Sequence, residues 1–556
     1  MNPAKRIKRV PLSFEQLPNE LLVDILGYLT SVDAVYAFCQ LNHRFQCLLL
    51  SYVKDFDFQS TNKSKFDYVT RHHDIHSWRS LRLSNDELTP CQIQYFCQRY
   101  SQLQHLSQLQ TLSLLNIDLK LNKEMFSQLA SLDQLVSLTI GTVCGRDMPL
   151  LQLPSLRRLT VIGCNDMSWL SNFGLLEKLK YTTKHLCSHE TKSMELTTLT
   201  ELYLEYTEND NESAIRESLE HLSQLTKLSL YRHGIYRILP DGGIWEHLIK
   251  SFLPLLDTFQ FCFSFQSYTN SPNVFNNIIA SFSTAFYLVE KRWFSRCDFD
   301  NRYGCKGAMY SLPFAFTKMP INCNSFEQSL STLIADDADE REYNSYRKVK
   351  TLLFNEKCLI PTQGYESSNI TRLVLQTAPP TSWYHLFTNL RDVTFHRNLY
   401  MSSQDFENFL QVATKIQSLR LSIYTLVILT DKFTNVPICN LLSERIRSLT
   451  ITRYRSSDVL PGITSIRHLT HVVRIFNRSC RHLSLGIRAQ PSTVAPILRR
   501  MRKLHSLHIH YFPWDSASNK TAEYLLTKPP TTVHDCDFVH ATTDDDFYIW
   551  FGNADY

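Results

Sequence analysis

The feature that most constrains the fold is a short apolar motif that recurs sixteen times along the 556 residues. Each copy reads apolar, two variable, apolar, one variable, apolar, and copies within a block start 20 to 34 residues apart. Alternate side chains of a strand face opposite ways, so the fourth and sixth positions are expected to point into one core. The copies are VKDFDF (53–58), WRSLRL (78–83), LQTLSL (109–114), LVSLTI (135–140), LRRLTV (156–161), LEKLKY (176–181), LTELYL (199–204), LTKLSL (225–230), LDTFQF (256–261), VKTLLF (349–354), ITRLVL (370–375), LRDVTF (390–395), IQSLRL (416–421), IRSLTI (446–451), CRHLSL (480–485) and LHSLHI (504–509).

Between the motifs, stretches such as NESAIRESLEHL (211–222) space their apolar residues three and four apart, as helices do. Strand, helix and return strand predict a parallel sheet over residues 78–262 and 349–510. The pattern resembles the leucine-rich repeat family. Residues 263–345 break the period, although FYLVEKRWFSRCDF (286–299) alternates like a strand, so we treat this region as an insertion.

Composition excludes several classes of function. Only fourteen glycines occur, and no glycine-rich phosphate loop or nucleophile elbow is found, which argues against a nucleotide-binding enzyme. We therefore expect no catalytic activity and no cofactor. The fifteen cysteines form no CxxC pair, and no secretory or membrane-spanning segment is seen, so we expect an intracellular protein without a membrane partner. AKRIKRV (4–10) is compatible with a nuclear address beside a cytoplasmic location, and a net charge of +5 gives no reason to expect nucleic acid.

Residues 14–49 hold more large apolar side chains than three short helices can bury. Pro18 suits the first turn of a helix, and Ser31 and Asn42 suit the N-caps of two more. Surplus apolar surface on a small helical module is typical of a docking site. The alternative is that these leucines pack against the first repeats, around Phe56 and Phe58.

The same stretch resembles the F-box, with LP at Leu17 and Pro18, then I..YL ending at Leu29, then LN.RF ending at Phe45. Phe45 stands where that family more often has Trp. F-box proteins with leucine-rich repeats are substrate receptors of Skp–cullin ubiquitin ligases, so the resemblance implies a Skp-type adaptor, a cullin scaffold and a protein target. It implies adaptor contacts by Leu17, Pro18, Leu21, Ile25, Leu26 and Leu29.

A target would meet the variable strand positions, which face away from the core. Arg and Tyr are enriched at binding hot spots, although exposed strand positions are also polar without any ligand. The predicted target-binding residues are Arg158, Lys178, Lys180, Tyr203, Lys227, Tyr231, Arg372 and Arg420. In LHSLHIHYF (504–512), His508 and His510 share a side of one strand, but no carboxylate or cysteine at ligand spacing accompanies them, so we predict no metal site.

The predicted fold class is α/β, with a small N-terminal three-helix F-box followed by an irregular leucine-rich-repeat solenoid with a parallel sheet. Three functions are compatible with it: a ligase substrate receptor, an interaction scaffold without a ligase role, and an enzyme whose site lies in residues 263–345. The predicted boundaries are a basic tail at 1–11, the F-box at 12–52, repeat block 1 at 53–262, an insertion at 263–345, repeat block 2 at 346–530, and a C-terminal cap or tail at 531–556.

Overall fold

The computed structural model contains two sheets, of twelve and ten strands. The basic tail predicted at residues 1–11 lies outside the described residues. Those are residues 14–100, 103–118, 127–144, 152–164, 167–185, 196–208, 212–232, 239–267, 273–300, 305–319, 328–333, 346–354, 369–452, 466–486, 491–510, 538–542 and 546–552.

The first sheet contains one parallel strand for each of the first nine motifs, and neighbours in sequence are neighbours in the sheet. Three antiparallel strands follow in the order β9-β11-β10-β13. Its strands are β1 (Asp55–Asp57), β2 (Ser80–Ser84), β3 (Thr111–Asp118), β4 (Ser137–Cys144), β5 (Arg158–Ile162), β6 (Lys178–His185), β7 (Glu201–Glu208), β8 (Lys227–Arg232), β9 (Thr258–Ser267), β10 (Phe294–Asp300), β11 (Cys305–Leu312) and β13 (Gln328–Ser331).

The second sheet runs in parallel from β12 to β20 and ends in an antiparallel hairpin made by β22 and β21. This hairpin pairs with β20 and covers the edge that the last repeat would leave open. The strands are β12 (Lys318–Met319), β14 (Thr351–Phe354), β15 (Arg372–Thr377), β16 (Asp392–Tyr400), β17 (Ser418–Ser422), β18 (Ser448–Thr452), β19 (His482–Gly486), β20 (Ser506–His510), β21 (Phe538–Thr542) and β22 (Asp546–Phe551).

The predicted mixed α/β fold with large parallel sheets is confirmed. All three apolar positions of all sixteen motifs are buried, from Val53 to Ile509. Successive motif strands pair in parallel throughout residues 78–262 and 349–510. Repetition of one inward-facing pair of side chains per strand therefore builds a continuous core, which is how a solenoid of leucine-rich repeats is stabilised.

Helices lie before and between the strands. Side-chain caps begin several of them, as where Thr30, Asn42 and Asn62 accept hydrogen bonds from backbone N–H groups of the first turn. No helix in the described part of the chain has the length and apolarity needed to span a bilayer. The α-helices are α1 (Asn19–Gly27), α2 (Ser31–Phe38), α3 (His43–Tyr52), α4 (Lys63–His72), α5 (Gln92–Arg99), Glu212–Leu219, Gly242–Phe252, Asn273–Ser281, Ser403–Val412, Ile423–Leu429, Val436–Arg445, Ile466–Phe476 and Pro491–Arg500.

The strand prediction for residues 286–299 was wrong in its first half. Phe286–Glu290 is one turn of π-helix, and the strand begins only at Phe294. The alternating pattern is satisfied differently there, because Phe286 and Tyr287 are both buried and the Tyr287 hydroxyl donates to the Gly242 carbonyl at 2.7 Å. The long-range hydrogen bond between Tyr287 and Gly242 therefore accompanies a structure that the alternating sequence pattern did not predict.

The two repeat blocks touch again far from where the chain passes between them. Glu87, in the loop after β2, lies 2.9 Å from Arg420 and accepts a hydrogen bond from Thr450 at 2.8 Å. Trp550 of β22 packs edge-on against Phe66 of α4, with ring centroids 5.5 Å apart. The first and last repeats are therefore in contact, and the chain closes on itself.

We predict that Trp550→Ala lowers the free energy of unfolding by about 3–5 kcal/mol, because it empties a fully buried aromatic site shared by both blocks. Urea denaturation followed by circular dichroism measures the change. Tyr424→Ala is the matched control, since Tyr424 is an exposed aromatic residue and its loss should change stability by less than about 0.5 kcal/mol. Equal effects of the two substitutions would show that the contact between the blocks does not stabilise the fold.

Candidate functional site

The N-terminal helices are held together by one arginine. Arg44 of α3 donates to the Asn19 side chain at 2.8 Å and to the carbonyls of Glu15 and Leu17 at 2.6 Å each. Phe45, the next residue, is fully buried and its ring stacks on Phe14. Arg44 and Phe45 therefore hold the segment before α1, which contains Leu17 and Pro18, against the start of α3.

Helix α1 has two apolar faces that the sequence does not distinguish. Leu22 and Leu26, four residues apart, are buried in the core, whereas Leu21 and Leu29 are exposed. The prediction that Leu26 contacts an adaptor is therefore wrong, because this side chain is only 5% exposed and belongs to the core. Of the other predicted adaptor contacts, Pro18 is also exposed, and Leu17 and Ile25 are half-buried.

Exposed apolar side chains are concentrated in this module. Seven of the sixteen large exposed apolar residues of the described chain fall within residues 14–52. Tyr28 is the most open of all, at 88% exposed. We call this group the N-terminal apolar set; it consists of Phe14, Leu21, Tyr28, Leu29, Tyr36, Leu41 and Tyr52.

The module is also anchored to the first repeat. Lys65 of α4 lies 2.6 Å from Asp33 of α2, and Tyr36 packs edge-on against Tyr68 with ring centroids 5.0 Å apart. Burial opposes ionisation of Asp33, but hydrogen bonds from Lys65 and Thr30 outweigh it and lower the pKa of that carboxyl group. One set of the N-terminal apolar side chains therefore packs inward and another stays exposed, and docking of a partner on the exposed set stays a prediction.

Five of the predicted target-binding residues come together on the first sheet. On the face opposite the leucine core, which we call the concave face, Arg158, Lys178, Glu201 and Lys227 stand side by side on β5 to β8. Two residues further along the same strands, Lys180 pairs with Tyr203 in register. Neighbouring strands are about 4.8 Å apart, so four cationic side chains and one tyrosine share a compact area.

These side chains form the floor of a cavity of about 420 Å³, which we call the concave pocket. Ala315 and Phe316, which precede β12, and Lys348, which precedes β14, also line it. The pocket therefore holds five cationic side chains and one carboxylate, that of Glu201, which Lys178 already contacts at 2.5 Å. The Lys180 ammonium lies 4.7 Å from the centre of the Tyr203 ring.

The three other predicted target contacts lie elsewhere. Tyr231 is 1% exposed, beneath Phe316 at a ring distance of 4.9 Å, and its hydroxyl donates to the Lys318 carbonyl. The prediction that Tyr231 faces a target is therefore wrong, because the second block covers it. Arg420 is paired with Glu87, while Arg372 stays exposed on β15, 4.0 Å from Asp392.

A second polar cluster lies on the last repeats. His508 and His510 each place a ring nitrogen near one oxygen of Asp546, at 3.1 and 2.6 Å. Their ligand atoms lie within 4.8 Å of one another, so these three residues could hold a metal ion. The geometry is also satisfied by hydrogen bonds, since the second ring nitrogen of His508 lies 3.1 Å from the Ser484 hydroxyl.

Several of these residues could not be found by reading motifs. Glu87, Phe316, Lys348 and Asp546 lie outside the repeats' strand motifs and reach their partners only through contacts between distant parts of the chain. Asp546 supplies the carboxylate that His508 and His510 lack nearby in sequence. Tyr28 carried a usable signal, since it lies two turns after Leu21 and one turn after Ile25, at the C-terminal end of α1.

Comparison with known proteins shows likeness to leucine-rich-repeat structures. One solved structure, a leucine-rich-repeat protein of Leptospira interrogans, is 14% identical, with 82% of this chain and 95% of that chain covered and a TM-score of 0.22. Another, TLR13 in complex with ssRNA13, is 12% identical, with 74% and 63% covered and a TM-score of 0.20. No protein-family model matches the sequence. No curated protein matches it either. The fold assignment therefore rests on the strand order and the motif burial.

Buried histidines make stability depend on pH. Burial lowers the pKa of His73 and His508, in the latter case despite the hydrogen bond to Asp546. An imidazole in the unfolded chain takes up a proton below about pH 6.5, whereas these two stay neutral in the fold. We therefore predict that the thermal midpoint falls as pH drops through that value, which a series of melts at stepped pH would record.

The matched variants are His508→Gln and His247→Gln, the second removing an exposed imidazole. His508→Gln should flatten the fall below about pH 6.5, because one proton uptake by the unfolded chain is lost. The variant His247→Gln should show the same dependence of melting temperature on pH as the wild type. A melting temperature that rises on acidification would contradict the assignment of neutral buried imidazoles.

Proposed function

We propose that this chain is a substrate-recognition subunit of an SCF-type ubiquitin ligase, in which the N-terminal module docks a Skp-type adaptor and the repeats hold a protein target. In its more general form the proposal is that the chain is a leucine-rich-repeat interaction scaffold, and the repeat fold provides the framework for that role. The observation that carries the ligase proposal is the N-terminal apolar set, together with the F-box resemblance of the same residues.

Physical chemistry supports a docking role for that set. Leaving a large apolar side chain in water forgoes about 1.5–3 kcal/mol of burial. This module leaves several exposed, although its other apolar side chains join the core of the first repeats. Tyr28 and Leu29 directly follow the last turn of α1 and are exposed, so a partner can cover them without disturbing the core. Aromatic side chains exposed in such clusters are frequent interface anchors.

The target side of the proposal rests on the concave pocket and the exposed Arg372. Target binding there needs no catalytic residue, so the chain acts by bringing two proteins together. A scaffold without a ligase role would have the same repeats and is the second candidate function. Recovery of a cullin with the full chain from cells distinguishes them, because only the ligase subunit requires one.

We predict that the double substitution Tyr28→Ala, Leu29→Ala weakens binding of a purified Skp-type adaptor at least about tenfold, since truncated interface anchors typically cost more than 1 kcal/mol each. Binding is measured by biolayer interferometry on the full chain. Substitution is preferable to deletion of residues 1–52, because that module packs on α4 and its removal would expose the first repeat.

The control is Leu175→Ala, which removes an equally exposed leucine from the first repeat block and should leave adaptor binding unchanged. Thermal melts should be alike for wild type, control and double variant, because the altered side chains are exposed. Absence of adaptor binding by the wild type would refute the ligase assignment and leave the scaffold. Equal binding by wild type and double variant would refute the docking surface.

A further inference from the structure

The concave pocket has an excess of positive charge that the protein itself does not neutralise. Its lining includes Arg158, Lys178, Lys180, Lys227 and Lys348, and the only carboxylate among the lining residues is Glu201. Glu201 is already engaged by Lys178 at 2.5 Å. Among the described residues, no acid forms an ion pair with Arg158, Lys227 or Lys348, although Glu201 is the ladder neighbour of Lys227 as well as of Lys178. The Lys180 ammonium lies over the Tyr203 ring.

This arrangement is unfavourable without a ligand. Arg158 and Lys178 are direct partners in the β5–β6 ladder, and like charges placed opposite each other in a sheet are destabilising. An ordinary polar surface intersperses the two signs. Here five cations face one partly open pocket, and each of them keeps contact with solvent, so salt screens part of the repulsion. An anion bound among them would remove the repulsion.

The remaining lining fits an oxygen-rich anion. Thr160 places a hydroxyl group on the floor, two residues along its strand from Arg158. The hydroxyl of the buried Ser229 already donates to the Gln260 side chain at 3.1 Å. Phe316 closes one side with an apolar ring that is itself buried against Tyr231. A volume of about 420 Å³ accommodates a phosphorylated side chain or a small polyphosphate and excludes a folded domain.

From this geometry we infer that the concave pocket binds a phosphate-bearing ligand, held by Lys180, Lys227 and Lys348 with Arg158 as a bidentate donor. Arginine and lysine donate strong charge-assisted hydrogen bonds to phosphate oxygens, and several cations match a group with more than one negative charge. The ligand is either a phosphorylated side chain of the protein target, in which case the inference rests on the proposed function, or a free small polyphosphate, in which case it does not.

The test uses the full chain and two probes. Isothermal titration measures binding of inorganic tripolyphosphate. A second titration uses a phosphoserine peptide mixture of randomised flanking sequence, with the unphosphorylated mixture beside it. We expect at least one phosphorylated probe to bind and its affinity to fall as salt rises. Binding of the peptides alone assigns the site to a modified target, and binding of tripolyphosphate alone assigns it to a soluble anion.

Variants decide whether the pocket is responsible. Lys180→Gln and Lys227→Gln should each weaken binding of the active probe by about tenfold or more, while Lys503→Gln, at an exposed lysine outside the pocket, should have no effect. Both pocket variants should stay folded without ligand, because Lys180 and Lys227 are exposed, and thermal melts check this. Failure of both probes to bind, or equal binding by wild type and pocket variants, overturns the inference.

The two proposals fail separately. Loss of adaptor binding with intact phosphate binding would refute the ligase assignment and leave the pocket. Adaptor binding without phosphate binding would leave the substrate-receptor proposal standing and refute the phosphate-binding role of the concave pocket.

Discussion

The register between parallel strands is the constraint on which the rest of the structure depends. Each motif turns its fourth and sixth side chains inward, and a slip of one residue between two strands would exchange the two faces. Leu159 and Leu179 would then point to solvent, and Lys178 and Lys180 would enter the core. The apolar core therefore has a second effect besides stabilising the fold, because it also holds like charges side by side across the concave face.

Motif reading predicted the repeated strands well and the contacts between them poorly. The period-two pattern is a local property, and burial of every motif position shows that local preference and packing agree there. Tyr231 shows the opposite case, because it occupies an outward position by period yet is covered by Phe316, some eighty residues further along the chain. For the same reason, motif reading did not predict that the Asp546 carboxylate lies beside His508, since the two meet only because β22 folds back on β20.

The N-terminal module shows how one apolar pattern can serve two purposes. Leu22 and Leu26 form one stripe of α1, and Leu21, Ile25 and Tyr28 form another, three and four residues apart. From sequence alone either stripe could be the core. Packing against Phe45 and the first repeat selects the first stripe, and the second remains free for an interface. The misassignment of Leu26 and the omission of Tyr28 have this common cause.

The contact between the first and last repeats has a consequence for how the molecule comes apart. In an open solenoid each repeat touches only its neighbours, so the ends can fray and unfolding can proceed repeat by repeat. Here contacts of Glu87 and Trp550 join the first repeats to the last. In a closed array the terminal repeats can no longer unfold first at low free-energy cost. They therefore gain the protection from amide hydrogen exchange and proteolysis that, in an open solenoid, only the central repeats have.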